Sequence, residues 1–69
     1  MDAVTIIEIR PYRGGWQCFE GDGVAPFFVE GDAKRQAIDY ATQRMRGRAG
    51  EIRVVDSAGN VEQVIPFKK

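Results

Sequence analysis

The sequence predicts an α+β domain with the element order β-β-β-α-β-β, a mainly antiparallel sheet and one helix packed on one face. Three observations support this fold class. Apolar side chains alternate between two faces early in the chain, apolar residues recur at helical spacing in the middle, and two further alternating segments flank a turn near the end. With 69 residues and no linker or repeat, the chain is expected to form a single domain over residues 1–69.

The first strand is predicted from Val4 to Arg10, where β-branched residues dominate. Pro11 cannot donate to a strand ladder, and Gly14 and Gly15 accept positive φ angles, so the chain is expected to reverse there. Arg-Gly-Gly also occurs as repeats in disordered RNA-binding segments, and glycine-rich loops that hold phosphate run into a helix. Here the motif occurs once and runs into a predicted strand, which favours a hairpin turn.

The second and third strands are predicted at residues 16–20 and 26–30, and the dipeptide Asp22-Gly23 predicts the hairpin turn between them. Trp16 opens the second strand. We interpret it as a core anchor, with a stacking platform for a ligand as the alternative. The three strands together are expected to form a meander.

One helix is predicted within residues 31–50, because apolar residues recur there at helical spacing. The residues expected to face the sheet are Ala37, Ile38, Ala41 and Met45. Asp32 is expected to accept hydrogen bonds from the first turn, and Gly47 is expected to end the helix in a left-handed conformation. A second hairpin is predicted after the helix, with strands near 51–55 and 61–65.

Charge is balanced overall but not along the chain. Ten basic and ten acidic residues cancel, which removes the global field that drives nonspecific nucleic-acid binding. Residues 33–53 nevertheless carry six bases and two acids. Guanidinium groups bind phosphate bidentately, so the candidate nucleic-acid contacts are Arg44, Arg46, Arg48 and Arg53. Complementarity to the helix dipole and solubility form the alternative explanation, which we favour.

Catalytic and metal-binding patterns are missing from the sequence. It contains no histidine and no carboxylate pair at motif spacing, and Asp22, Asp32 and Asp56 are explained by turns or caps. We expect no enzymatic activity, no metal site and no cofactor. The single Cys18 is interpreted as a buried structural thiol, which suits a reducing cytoplasm. No apolar stretch approaches the roughly 20 residues that span a bilayer, so a cytoplasmic location without membrane contact is expected.

Both faces of the predicted sheet carry apolar residues. In the first strand, Val4 and Ile6 point to one face while Ile7 and Ile9 point to the other. One helix covers one face, so the second requires sheet curvature, the terminal segment 64–69, or another molecule. We favour a homodimer or a protein partner. The expected function is a non-enzymatic interaction or self-associating module, and the alternative is a nucleic-acid-associated accessory domain that uses the basic helix end.

Three short motifs resemble those of a family of small bacterial proteins catalogued as a domain of unknown function. They are GGW at 14–16, QAIDYA at 36–41 and GEIRVVDSAGNVEQ at 50–63. The resemblance covers nearly the whole chain. It implies the β-β-β-α-β-β arrangement and a bacterial cytoplasmic setting, and it implies no catalytic or binding residue.

Overall fold

Five strands and one helix make up the part of the chain that the computed structural model describes, residues 4–21, 23–29 and 31–68. The elements are β1 (Val4–Tyr12), β2 (Gly15–Glu20), β3 (Gly23–Phe28), α1 (Ala33–Arg44), β4 (Ala49–Val55) and β5 (Val61–Phe67). The strands form one sheet in the order β3-β2-β1-β4-β5. The predicted fold class and element order are confirmed.

The sheet is mostly antiparallel, with one parallel pair at its centre. β1 pairs in parallel with β4, whereas the pairs β1–β2, β2–β3 and β4–β5 are antiparallel. β3 therefore runs in the same direction as β4, and α1 forms the crossover between them above the intervening strands. Each outer strand contains a proline, Pro26 in β3 and Pro66 in β5. Proline is tolerated at such positions because an edge strand needs fewer ladder donors.

The Arg-Gly-Gly motif forms the turn between β1 and β2. Arg13 has a φ of 48° and Gly14 a φ of 80°, and Tyr12 pairs with Gly15 across them. Two consecutive positive φ angles characterise the type I′ turn that matches the twist of a hairpin. The predicted reversal is confirmed, but Arg13 takes the positive φ that was expected of Gly15, which is the first residue of β2. β1 continues through Pro11 to Tyr12, two residues beyond its predicted end, because both residues pair with β2.

The bounds predicted for the third strand, 26–30, are wrong. β3 spans Gly23–Phe28, because its first residue already pairs with Glu20 at the end of β2. The strand therefore begins directly after the turn and ends before the chain leaves the sheet for the helix. Asp22 and Glu30 lie outside the described residues.

The two ends of α1 differ in how well they follow the sequence. The side chain of Asp32 makes no capping hydrogen bond, so that prediction is wrong. Its φ of −96° and ψ of 20° depart from the extended backbone that aims a capping carboxylate at the first amides. At the other end, Met45 donates its amide to the Ala41 carbonyl at 3.0 Å, and Gly47 follows with a φ of 75°. The left-handed stop at Gly47 is confirmed.

The second hairpin is held by its turn. β4 and β5 extend beyond the predicted segments, to Ala49 at one end and Phe67 at the other. Between them, Oδ1 of Asp56 accepts hydrogen bonds from the amides of Ala58 and Asn60, both at 2.9 Å. The interpretation of Asp56 as a turn residue is confirmed.

The core lies between α1 and one face of the sheet. Its buried apolar residues are Ile7, Ile9, Cys18, Ala33, Ala37, Ala41, Met45, Ile52, Val54 and Val55. The buried residues of α1 are alanines four positions apart, which lets the helix lie close to the strands. Ile38 was expected on this face but is half-buried at its flank, because it lies about 100° around the helix from Ala37.

We expect Ile52→Ala to lower the free energy of unfolding by about 2–5 kcal/mol, because it leaves a cavity at a fully buried position in the sheet centre. Urea titration monitored by circular dichroism measures the change. The control is Val64→Ala on neighbouring β5, where the side chain is 49% exposed and the expected effect is within about 0.5 kcal/mol. Equal losses in the two variants would contradict the assignment of the core to the helix-covered face.

Candidate functional site

The sheet face turned away from α1 is the candidate functional surface of the described part of the chain. Side chains alternate along β1, so Ile7 and Ile9 enter the core while their neighbours point to the opposite side. We call this surface the open face. Its described side chains are Val4, Ile6, Glu8, Arg10, Tyr12, Gln17, Phe19, Phe27, Glu51, Arg53, Val64 and Pro66.

The terminal segment does not cover the open face. Residues 64–67 belong to β5 and pair with β4, so they extend the sheet instead of folding across it. The terminal segment is one of three possible covers predicted from the sequence, and for the described residues this prediction is wrong. The open face is left as a surface of the folded chain.

Cross-strand register arranges the open face in rows. The first row reads Phe19, Glu8, Arg53, Val64 across β2, β1, β4 and β5. The second row reads Ile6, Glu51, Pro66 across β1, β4 and β5. The first row thus places two opposite charges at the sheet centre and an apolar side chain at each end.

Two ion pairs occupy the middle of the open face. Glu8 pairs with Arg10 along β1, and Glu51 pairs with Arg53 along β4. The four charges cancel, and all four side chains remain partly exposed, so each pair contributes little to stability. The expectation that both faces are apolar is therefore wrong for the centre of this face and holds for its flanks.

An aromatic cluster forms one flank. The rings of Tyr12 and Phe27 meet edge to face, with centroids 5.8 Å apart and planes at 86°. The guanidinium of Arg13 lies 5.3 Å from the centre of the Tyr12 ring. Tyr12 and Phe27 are 44% and 42% exposed, so the cluster presents apolar surface to solvent.

A shallow depression of about 530 Å³ lies at one end of the open face. Val4, Ile6 and Phe19 supply apolar walls, and Glu8 supplies a carboxylate. The guanidinium of Arg10 lies 5.8 Å from the centre of the Phe19 ring. The depression is wide and open, a shape suited to a protruding side chain.

A second polar feature joins the end of α1 to the end of β2. Oε1 of Glu20 accepts hydrogen bonds from Nε and Nη2 of Arg44 at 3.1 and 2.9 Å, and Oε2 accepts one from Nη1 of Arg48 at 3.1 Å. The hydrogen bond from Arg44, aided by that from Arg48, lowers the pKa of Glu20 against the opposing effect of burial. Glu20 therefore clamps the helix end to the sheet.

The arginines predicted to contact nucleic acid do not form one surface. Arg44 and Arg48 share Glu20 at the helix end, whereas Arg53 lies on the open face and pairs with Glu51. Arg46 is exposed and forms no ion pair with another described residue. Sequence reasoning missed Glu20, because its place beside the helix end depends on how β2 packs under α1. Nucleic-acid binding stays a prediction.

Cys18 is fully buried under α1. Its thiol lies 3.6 Å from the carbonyl oxygen of Ala37, to which it donates, and burial raises its pKa to about 11. A protonated, buried thiol is a poor nucleophile, which confirms the interpretation of Cys18 as structural.

Trp16 packs against the core and is half-buried, as expected of a core anchor. Nζ of Lys34 lies 5.1 Å from the centre of its ring and also pairs with Glu62 of β5. The ammonium group thus occupies one face of the ring.

Comparison with known proteins finds no matching family model, no matching curated protein and no matching solved structure. The resemblance to a family of small bacterial proteins therefore stays a prediction. Among the described residues, no helix is long and apolar enough to cross a membrane. The same residues contain no group of three or more side chains placed to hold a metal ion.

We expect Glu20→Gln to destabilise the protein at neutral pH and to have a smaller effect in acid. The pKa of Glu20 is lower in the folded chain than its ordinary value, so its contribution is present above the unfolded-state pKa. That contribution is lost as pH falls through the folded-state pKa. Urea titrations of both proteins at pH 7 and at about pH 3 measure the difference. If the two proteins differ in free energy of unfolding by the same amount at both pH values, Glu20 does not clamp the helix end through its charge.

We expect the protein to bind heparin weakly through the basic helix end and to elute at about 0.15 M salt. The binding is weak because the carboxylate of Glu20 already neutralises part of the charge of Arg44 and Arg48. Arg46→Gln should lower the eluting salt concentration further. Arg53→Gln, on the opposite side of the sheet, serves as the control and should elute earlier by a smaller amount. Tight retention that survives Arg46→Gln would show that other contacts bind the polyanion.

Proposed function

We propose that the protein is a non-enzymatic interaction module of the bacterial cytoplasm, with no membrane contact, and that the open face is its binding surface. The observation that carries the proposal is the position of the exposed apolar side chains. Val4, Tyr12, Phe27 and Val64 are 69%, 44%, 42% and 49% exposed, and all lie on the side of the sheet that α1 does not cover. Clustered exposed apolar residues mark interaction sites on small domains.

The composition of the open face also supports protein binding. Tyrosine, phenylalanine and arginine are enriched in protein interfaces, and Tyr12, Phe27 and Phe19 stand beside Arg10 and Arg13 on this side. Aromatic rings supply large contact area and lose little conformational entropy when they are fixed.

Protein binding has more support than nucleic-acid binding. A phosphate-binding surface needs cations that are not already neutralised, because released counterions supply most of its affinity. On the open face each described arginine of the central strands has a glutamate partner, and at the helix end Glu20 holds two arginines. Burial of the exposed apolar side chains on the flanks of the open face requires no unpaired cation.

Site-specific photo-crosslinking in the cells that make the protein tests this proposal. p-Benzoylphenylalanine replaces Phe27 on the open face, and in a matched variant it replaces Gln43 on the exposed side of α1. We expect covalent protein adducts from position 27 and none from position 43. Circular dichroism verifies that both variants fold.

The result that would overturn the proposal is an absence of adducts from position 27, repeated at a second open-face position such as Val64, in a folded protein. Adducts from position 43 alone would move the binding surface to the helix. An adduct with any protein, including a second copy of this chain, supports the module.

A further inference from the structure

We infer that the occupant of the open face is a second copy of this chain, related to the first by a twofold axis that runs parallel to the strands between β1 and β4. This inference rests on the proposed function and names the partner of the same surface. The two central strands lie side by side and run in parallel. Such an axis sets β1 opposite β4 and β2 opposite β5 of the second copy, so Val64 lies within the overlap and Phe27, on β3, lies beside it.

Charge complementarity carries the inference. The row Phe19, Glu8, Arg53, Val64 is complementary to its own reversal. When two copies face each other across the axis, Glu8 lies opposite Arg53 of the second copy, and Arg53 lies opposite its Glu8. The same operation sets Phe19 opposite Val64 of the second copy. An isologous dimer requires this property, because one patch has to match itself.

The second row adds a fit of shape. Pro66 stands at the β5 end of this row, and the depression beside Ile6 stands at the other end. The twofold axis brings Pro66 of each copy over the depression of the other. A compact, rigid ring that packs against the apolar walls of this open hollow, Val4, Ile6 and Phe19, buries surface at little cost in conformational entropy. Glu51 lies opposite Ile6 and keeps its pair with Arg53.

Because the sheets are twisted, the charges at the centre of the open face contribute most to the match between the two copies. Stacked sheets align at about 30° to each other, so the register between facing residues is retained best close to the axis. Glu8 and Arg53 occupy the two strands that flank this axis. Because Glu8 already binds Arg10 and Arg53 already binds Glu51, each contact becomes a network of four charges, and no charge is buried without a partner.

The size of the patch predicts a weak dimer. Four overlapping strands about 4.8 Å apart, each with some six residues at about 3.3 Å, cover roughly 20 Å by 20 Å. The interface then buries on the order of 1,000 Å² over both copies, at the low end of specific interfaces. Association is therefore expected at micromolar or higher concentrations, with a mass that depends on concentration.

A charge-swap mixing experiment tests the inference by sedimentation equilibrium. Glu8→Arg places arginine opposite arginine at both contacts, and Arg53→Glu places glutamate opposite glutamate. Each variant alone should dimerise more than about tenfold more weakly than the wild type. An equimolar mixture of the two variants restores both opposite-charge contacts, so the mixture should regain dimer. Every chain in the mixture still carries one of the two substitutions, so each monomer is as stable as it is alone. Recovery of the dimer therefore cannot come from a change in monomer stability.

Arg35→Glu on the exposed side of α1 reverses a charge away from the open face and should leave dimerisation unchanged. The inference is overturned if the wild type keeps its monomer mass of 7.7 kDa at protein concentrations up to roughly several hundred micromolar, where a weak dimer would be populated. It is also overturned by a wild-type dimer that the mixture fails to restore, since that dimer uses another surface such as the edge of β5. A monomer that still crosslinks to another protein through position 27 leaves the proposed function standing and removes only the second copy.

Discussion

The structure depends on one constraint, which is that a single described helix of twelve residues has to bury a sheet of five strands. α1 meets this constraint with alanines on its buried side, at Ala33, Ala37 and Ala41. Small side chains bring the helix backbone near the strands, so the isoleucines and valines of the sheet fill the space between the layers. The close approach also narrows the area of the sheet that the helix covers. α1 packs chiefly against β2 and β3, and the described part of β5 completes the core near β4 with Ile65 and Phe67.

The same constraint accounts for the character of the open face. A sheet with one covered side needs polar groups on its other side to stay hydrated, and the centre of the open face carries opposite charges in adjacent strands. The exposed apolar residues surround these charges, with Val4 and Tyr12 at the two ends of β1 and Phe27 and Val64 on the outer strands. This arrangement leaves hydrated, oppositely charged side chains at the centre of the open face.

Much of the fold follows from local signals in the sequence. The period-two pattern of Val4–Arg10 predicts β1, and two residues of the type I′ turn explain the reversal after it. Signals that depend on tertiary context fail. The cap at Asp32 is missing because the backbone of this residue is not extended, with a φ of −96° and a ψ of 20°. Ile38 packs at the edge of the core and is only half-buried, because helix rotation is fixed by where the alanines fit, which spacing alone does not specify.

The candidate surface was only partly predictable. The sequence indicates that one face of the sheet lacks a cover, since a single helix is predicted for strands with apolar residues on both sides. Strand order is what brings Glu8 beside Arg53, forty-five positions later in the chain, and no local pattern encodes that parallel pairing. The clamp at Glu20 is likewise a product of packing, because it joins a strand end to a helix end across the interior layer.

The prolines in the two outer strands disfavour the addition of further strands to the sheet. An edge strand can pair with the edge strand of another copy, and repeated pairing of this kind produces cross-β fibrils. Pro26 and Pro66 each remove an amide donor and hold the backbone at an angle that a regular added strand does not match. Growth in the plane of the sheet is disfavoured at both borders. A small chain that displays apolar rings on one surface therefore has sheet borders that are poorly suited to the strand addition by which insoluble fibrils nucleate.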